Sequence, residues 1–129
     1  METTSAIKNV VAYFNTHDTV YVSENAVFIN MSSGEKTIGR KAIGDMLHYI
    51  YHVAFDAKAE LKNTIVTDRK AVLEANFKGK HIGEFAGIPA TGKQVNVPIC
   101  VTYELNDKGL IQTARVYMLA DVMMQQLLA

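Results

Sequence analysis

The chain has one cysteine, no excess of charge of either sign and no apolar run long enough to cross a bilayer. Each scarcity excludes something. Cys100 has no second thiol in the same chain, so an intrachain disulfide framework is excluded. Its neighbours Ile99 and Val101 mark it as a buried structural thiol, not a nucleophile. Lys plus Arg number 13 and Asp plus Glu number 13, so no overall field draws the protein to nucleic acid or to an anionic membrane. A transmembrane helix needs about 20 apolar residues, and none of the runs approaches that. Residues 1–17 lack a basic stretch leading into an apolar one, so a soluble, unexported, cytoplasmic protein is expected. No internal repeat, low-complexity tract or linker divides the chain. Its 129 residues fit one domain spanning 1–129, long enough to bury about 65% of the unfolded surface.

What is present is an ordered change of period. Ile7, Val10, Val11 and Phe14 recur at helical spacing behind candidate caps at Thr3, Thr4 or Ser5, so the spacing predicts an amphipathic helix ending near residues 15–17. Val27-Phe28-Ile29 reads as a short strand before the Ser32-Ser33-Gly34 turn. Gly39 introduces a second helix with Ile43, Met46, Leu47, Ile50 and Ala54 on its apolar face.

From Asp56 the period becomes two. Ala57, Ala59, Leu61, Asn63 and Ile65 alternate with Lys58, Glu60, Lys62, Thr64 and Val66 as a strand with one covered and one more polar face, residues 67–70 turn, and Ala71, Leu73, Ala75 and Phe77 line one face of a return strand. Val95, Val97, Ile99, Val101, Tyr103 and Leu105 alternate strictly up to the Asn106-Asp107-Lys108-Gly109 turn. A final strand follows over about 110–119, then a helical tail over 121–128. Helices first and a long sheet afterwards predict an α+β domain with its helices on one sheet face.

Between these strands, residues 79–98 carry Gly79, Gly83, Gly87 and Gly92 at places where backbone needs positive φ or close approach, with Pro89 presetting a turn. The segments Gly83-Glu84-Phe85, residues 87–93, residues 95–98 and Gln125-Gln126-Leu127 together resemble the SnoaL-like polyketide cyclases of the nuclear transport factor 2-like superfamily. Phe14-Asn15-Thr16-His17-Asp18 resembles a further motif of that family. The resemblance implies a cone-like, curved antiparallel sheet wrapped around N-terminal helices, an apolar pocket inside the cone and homodimerisation through the outer sheet face.

The same resemblance implies an inward Asp near the end of the last strand, serving as general acid and base. Counted from Gln125-Gln126-Leu127, that position falls on Leu119, which cannot exchange a proton. Arg115, Tyr117 and Leu119 share a strand face by parity and are expected in the pocket. Asp121 lies two residues further on, either as a substitute acid or base or as the cap of the terminal helix. A buried Arg115 needs a carboxylate partner or a ligand to reach, with Glu74, Glu84 and Glu104 as candidate partners.

Other polar groups have two readings each. His48 and His52 stand four apart on the second helix with Asp45 one turn earlier, which is ligand spacing, yet no third ligand is evident and no metal is expected. His81 and Glu84 read as exposed loop residues or as a rim acid and base. Tyr13 is a packed tyrosine or a pocket hydroxyl. Met118, Met123 and Met124 are adaptable core or pocket lining.

The expected function is binding of a small apolar or aromatic molecule without a cofactor, in a pocket closed by Phe14, Phe28, Phe77, Phe85 and Tyr117 and oriented by Arg115. The alternatives are a cofactor-free isomerase, cyclase or lyase for an aromatic carbonyl compound using Asp121 or His81, and a dimeric interaction module.

Overall fold

The computed structural model describes residues 3–129. The first helix, α1 (Thr3–Thr16), begins at the candidate caps, and the side chains of Thr3, Thr4 and Ser5 lie outside the described set. Its buried stripe is Ala6, Val10, Tyr13 and Phe14, and Ile7 is exposed. The buried stripe is thus rotated from the predicted one, toward Ala6 and Tyr13 and away from Ile7. His17 ends the helix in the left-handed region, with φ of 52°. Asp18 then caps a single 3-10 turn by accepting the Val20 N–H over 2.9 Å.

Strand β1 (Val22–Asn30) hairpins into the short β2 (Lys36–Ile38), and α2 (Arg40–His48) continues into a π-helical segment, Tyr49–Ala54. Four long strands follow: β3 (Phe55–Val66), β4 (Lys70–His81), β5 (Gln94–Leu105) and β6 (Ile111–Met118). The chain closes on α3 (Ala120–Leu128). Among the described residues the strands form one curved sheet in the order β2-β1-β6-β5-β4-β3. The α+β class and the curved sheet are as expected. The sheet is mixed, however, because β1 and β6 pair in parallel and the other pairs are antiparallel. That pairing joins the first and last long strands, a relation that no local turn signal announces.

Alternation places Leu73, Ala75 and Phe77 of β4 and Val97, Ile99, Val101 and Tyr103 of β5 on the buried, concave face. On β3 the alternation breaks. Leu61 pairs with Ala75, but Asn63 pairs with Glu74, so Lys62 is the extra residue of a bulge. Beyond it the faces exchange, which leaves Ile65 62% exposed instead of on the expected covered face.

Gly79 and Gly83 fix the far end of this hairpin. A Cβ on Gly79 would strike the Asp56 carbonyl, and one on Gly83 would strike that of Val53. The Ile82 and Gly83 N–H groups both donate to the Ala54 carbonyl over 2.9 Å, tying the end of β4 to the end of the π-helical segment.

Candidate functional site

A cavity of about 490 Å³ lies between the sheet and helices α2 and α3. Its floor is aromatic: Phe28 from β1, Phe55 from the start of β3, Phe77 from β4 and Phe85 from the loop after β4. Methionines supply much of the remaining wall, with Met46 from α2, Met118 from β6, and Met123 and Met124 from α3. Asn30, Ser32, Ser33, Glu35 and Thr37 give the β1–β2 hairpin side a polar edge, and Ser32 pins that hairpin by donating its hydroxyl to the Met118 carbonyl over 3.0 Å. Among the described residues lining the cavity, Glu35 is the one ionisable group, and it is exposed.

The loop bearing Phe85 and Ala86 is held in place over the cavity. The Tyr49 hydroxyl donates to the Glu84 carbonyl over 2.5 Å, and a Glu84 carboxylate oxygen accepts the Gly87 N–H over 3.0 Å. Phe85 and Ile88 bridge across the loop, with Ala86 at φ of 51° between them.

The parity of β6 decides which expected residues belong. Ala114, Val116 and Met118 turn inward, Ala114 being fully buried and the other two lining the cavity. Arg115 and Tyr117 therefore turn outward, which corrects their expected placement. Arg115 pairs with Glu104 of β5 over 2.5 Å on the outer face, and that pairing holds the Glu104 carboxyl below its usual range. Tyr117 is 44% exposed. Leu119 is 53% exposed at the N-terminal boundary of α3 and lies outside the cavity, because the strand has already ended at Met118. Asp121 is not the cap. It sits exposed in the first turn of α3, where a carboxylate favours the helix N-terminus, and it borders a shallow surface depression instead of the cavity.

Phe28, Phe77 and Phe85 line the cavity, whereas Phe14 and Tyr13 lie buried beyond its lining. Tyr13 packs edge-on against Phe28, Tyr103 and His17, with ring centroids 6.2, 6.0 and 5.6 Å away. Burial pushes the hydroxyls of Tyr13, Tyr51 and Tyr103 well up, so they remain protonated. His17 stacks on Tyr51 at 4.3 Å, and burial, with a smaller contribution from His52, lowers its pKa to about 4. This buried aromatic cluster is uncharged near neutral pH. Its members Tyr51 and Tyr103 and the cavity residues Phe55, Met46, Ile50 and Val116 were not among the predicted site residues. Alternation in β6 and the helical spacing of Met46 with Ile50 were the available signals.

His81 is not an exposed loop residue. It is the last residue of β4 and is fully buried, because its position continues the inward face that carries Phe77. Cys100 is half-buried on the outer face and not in the core, and burial together with Glu74 raises its thiol pKa. The His48 and His52 rings lie 5.3 Å apart, but Asp45 pairs with Lys41 over 3.1 Å. No three His, Cys, Asp or Glu side chains converge as metal ligands among the described residues. No described helix is long and apolar enough to cross a membrane.

Helices set in a curved sheet over an apolar cavity define the cone fold of the nuclear transport factor 2-like class. The family model for SnoaL-like polyketide cyclases matches residues 7–127, and the chain belongs to that family. The candidate SnoaL-like polyketide cyclase of Jannaschia sp. CCS1 superposes with a TM-score of 0.86 at 20% identity, over 98% of this chain and 93% of that one. A candidate polyketide cyclase of Xanthomonas campestris pv. campestris gives 0.84 at 18% identity, over 97% and 98%. TsrD of Streptomyces laurentii gives 0.76 at 21% identity, over 96% and 92%. At these identities the likeness is one of fold. Among curated proteins, none matches the chain by sequence.

Proposed function

We propose that the protein binds one small apolar or aromatic molecule in the cavity and that the acid/base chemistry suggested by its ancestry has no group placed to perform it there. One observation carries this reading: the cavity is lined by phenylalanine and methionine, and its one ionisable lining residue, Glu35, is on the exposed hairpin edge. A general acid or base must come within hydrogen-bond reach of the proton it moves. The inward positions of β6 hold Val116 and Met118, neither of which titrates, and Asp121 lies outside. Closely spaced rings and adaptable thioethers suit a flat apolar ligand.

The test is a fluorescence titration with the neutral dye N-phenyl-1-naphthylamine. Saturable enhancement at one dye per chain is expected, and enhancement that stays linear and unsaturated would contradict the reading.

We further propose that two copies associate through the outer sheet face, as the family resemblance implies. Tyr117 stands exposed there opposite Cys100, its register partner on β5. Sedimentation equilibrium should give a dimer for the native chain and a monomer for Tyr117→Glu; a monomeric native chain would refute the arrangement.

A further inference from the structure

The loop after β4 folds back onto the ring of His81. The Thr91 backbone N–H donates to His81 Nδ1 over 3.2 Å, and the Thr91 hydroxyl lies 3.0 Å from the same nitrogen. A backbone N–H can only donate, so Nδ1 is an acceptor. The Lys93 N–H in turn donates to the Thr91 hydroxyl oxygen over 3.3 Å, which leaves the hydroxyl hydrogen free to point at Nδ1. These donors fix neutral His81 as the tautomer with its hydrogen on Nε2. The main chain holds the register: His81 N–H donates to Lys93 O, and Gly92 N–H donates to His81 O, both over 2.9 Å.

Nε2 is buried and has no hydrogen-bond partner among the described residues. Such a donor is costly to leave unpaired, and buried polar groups are nearly always satisfied. The His81 ring packs against Phe55, one of the aromatic residues of the cavity. The His81 and Phe55 rings lie 5.1 Å apart at 34°, and Phe55 is also 5.1 Å from both Phe77 and Phe85. All three phenyl rings line the cavity.

We propose that His81 Nε2–H is the hydrogen-bond donor that receives the carbonyl oxygen of an aromatic ligand seated among Phe55, Phe77 and Phe85. The inference rests on the cavity being a binding site and adds the ligand's chemistry: flat and aromatic for the rings, with one carbonyl acceptor for the N–H. His81 is not itself in the cavity lining, so the carbonyl reaches it as Phe55, the ring packed on it, yields. It is a positioning residue. Proton abstraction does not suit it, because the lone pair of the neutral ring is on Nδ1 and is occupied by Thr91.

The probes are 2-acetylnaphthalene and 2-isopropenylnaphthalene, which differ by C=O against C=CH2. Calorimetric titration of the native protein and His81→Phe gives each Kd. The ketone-over-alkene preference is expected to fall about tenfold in the variant, with alkene affinity retained; an unchanged preference would overturn the proposal. Long-range proton–nitrogen spectra of the native protein provide a test that does not need the variant to fold. Nε2 is expected protonated and Nδ1 bare, with the Nε2–H signal moving on addition of ketone and not of alkene. A proton on Nδ1, or an Nε2–H indifferent to the ketone, overturns the assignment while the cavity reading stands if the probes bind. Failure of both probes to bind removes the cavity reading, and this inference with it.

Discussion

Arg115 and Val116 are neighbours on β6 that serve opposite faces of the sheet: Arg115 meets Glu104 outside, and Val116 lines the cavity inside. The chain's most conspicuous strand cation is therefore held by a surface carboxylate and is unavailable to orient a ligand. Arg115→Ala should leave dye affinity unchanged. Both side chains are more than a third exposed, so the pair stabilises the fold by no more than about 1 kcal/mol, and chemical denaturation checks this. A severalfold loss of affinity would return Arg115 to the site.

The inward and outward positions of β6 can be separated by one substitution at each of two adjacent residues. Met118→Trp should fill the cavity and abolish dye binding, whereas Tyr117→Trp should leave it intact. Titration of both variants reads the parity directly. Equal effects would mean that the strand does not present these faces.

The α+β order and the β3–β4 and β5–β6 hairpins were legible in the sequence because alternation and turn chemistry are local signals. Counting from a motif puts Leu119 in the pocket only if the strand runs to it, and β6 ends at Met118. Alternation alone puts Ile65 on the covered face, because a single-residue bulge at Lys62 leaves no mark in the pattern. His81 looked like loop polarity because its burial depends on Thr91 and Lys93 folding back, a contact across the glycine-rich excursion. Phe55 lies at the junction between a helical and a strand period, where neither pattern selects it.

Acid should unfold the native protein partly through His17. Its folded pKa of about 4 lies below the unfolded value near 6.5, so the unfolded chain binds more protons between them. The associated stability is present above about pH 6.5 and is lost as pH falls to about 4, by up to about 3 kcal/mol. His17→Phe keeps an aromatic ring against Tyr51 and should flatten stability over that window in denaturant titrations. An unaltered slope would mean that His17 is not held neutral by the fold.

Close approach at the end of the β3–β4 hairpin makes Gly79 intolerant of a side chain. Gly79→Ala should cost about 1–3 kcal/mol by forcing β4 away from Asp56. Gly87 has no neighbour within reach of an added Cβ, but its φ of 81° still penalises Ala, so Gly87→Ala should cost about 1 kcal/mol. Thermal melts of the two variants compare crowding with backbone strain. Equal melting temperatures would show that the Asp56 contact relaxes at little cost.

The methionine methyl groups report most directly on whether the cavity is the binding site. In methyl carbon–proton spectra recorded during titration with N-phenyl-1-naphthylamine, Met46, Met118, Met123 and Met124 should shift together and saturate at one dye per chain. Met31, which is not in the lining, should stay fixed. Saturating shifts confined to the four lining methionines are the expected result, and a spectrum in which those four remain unmoved while the dye binds would contradict a ligand in this cavity.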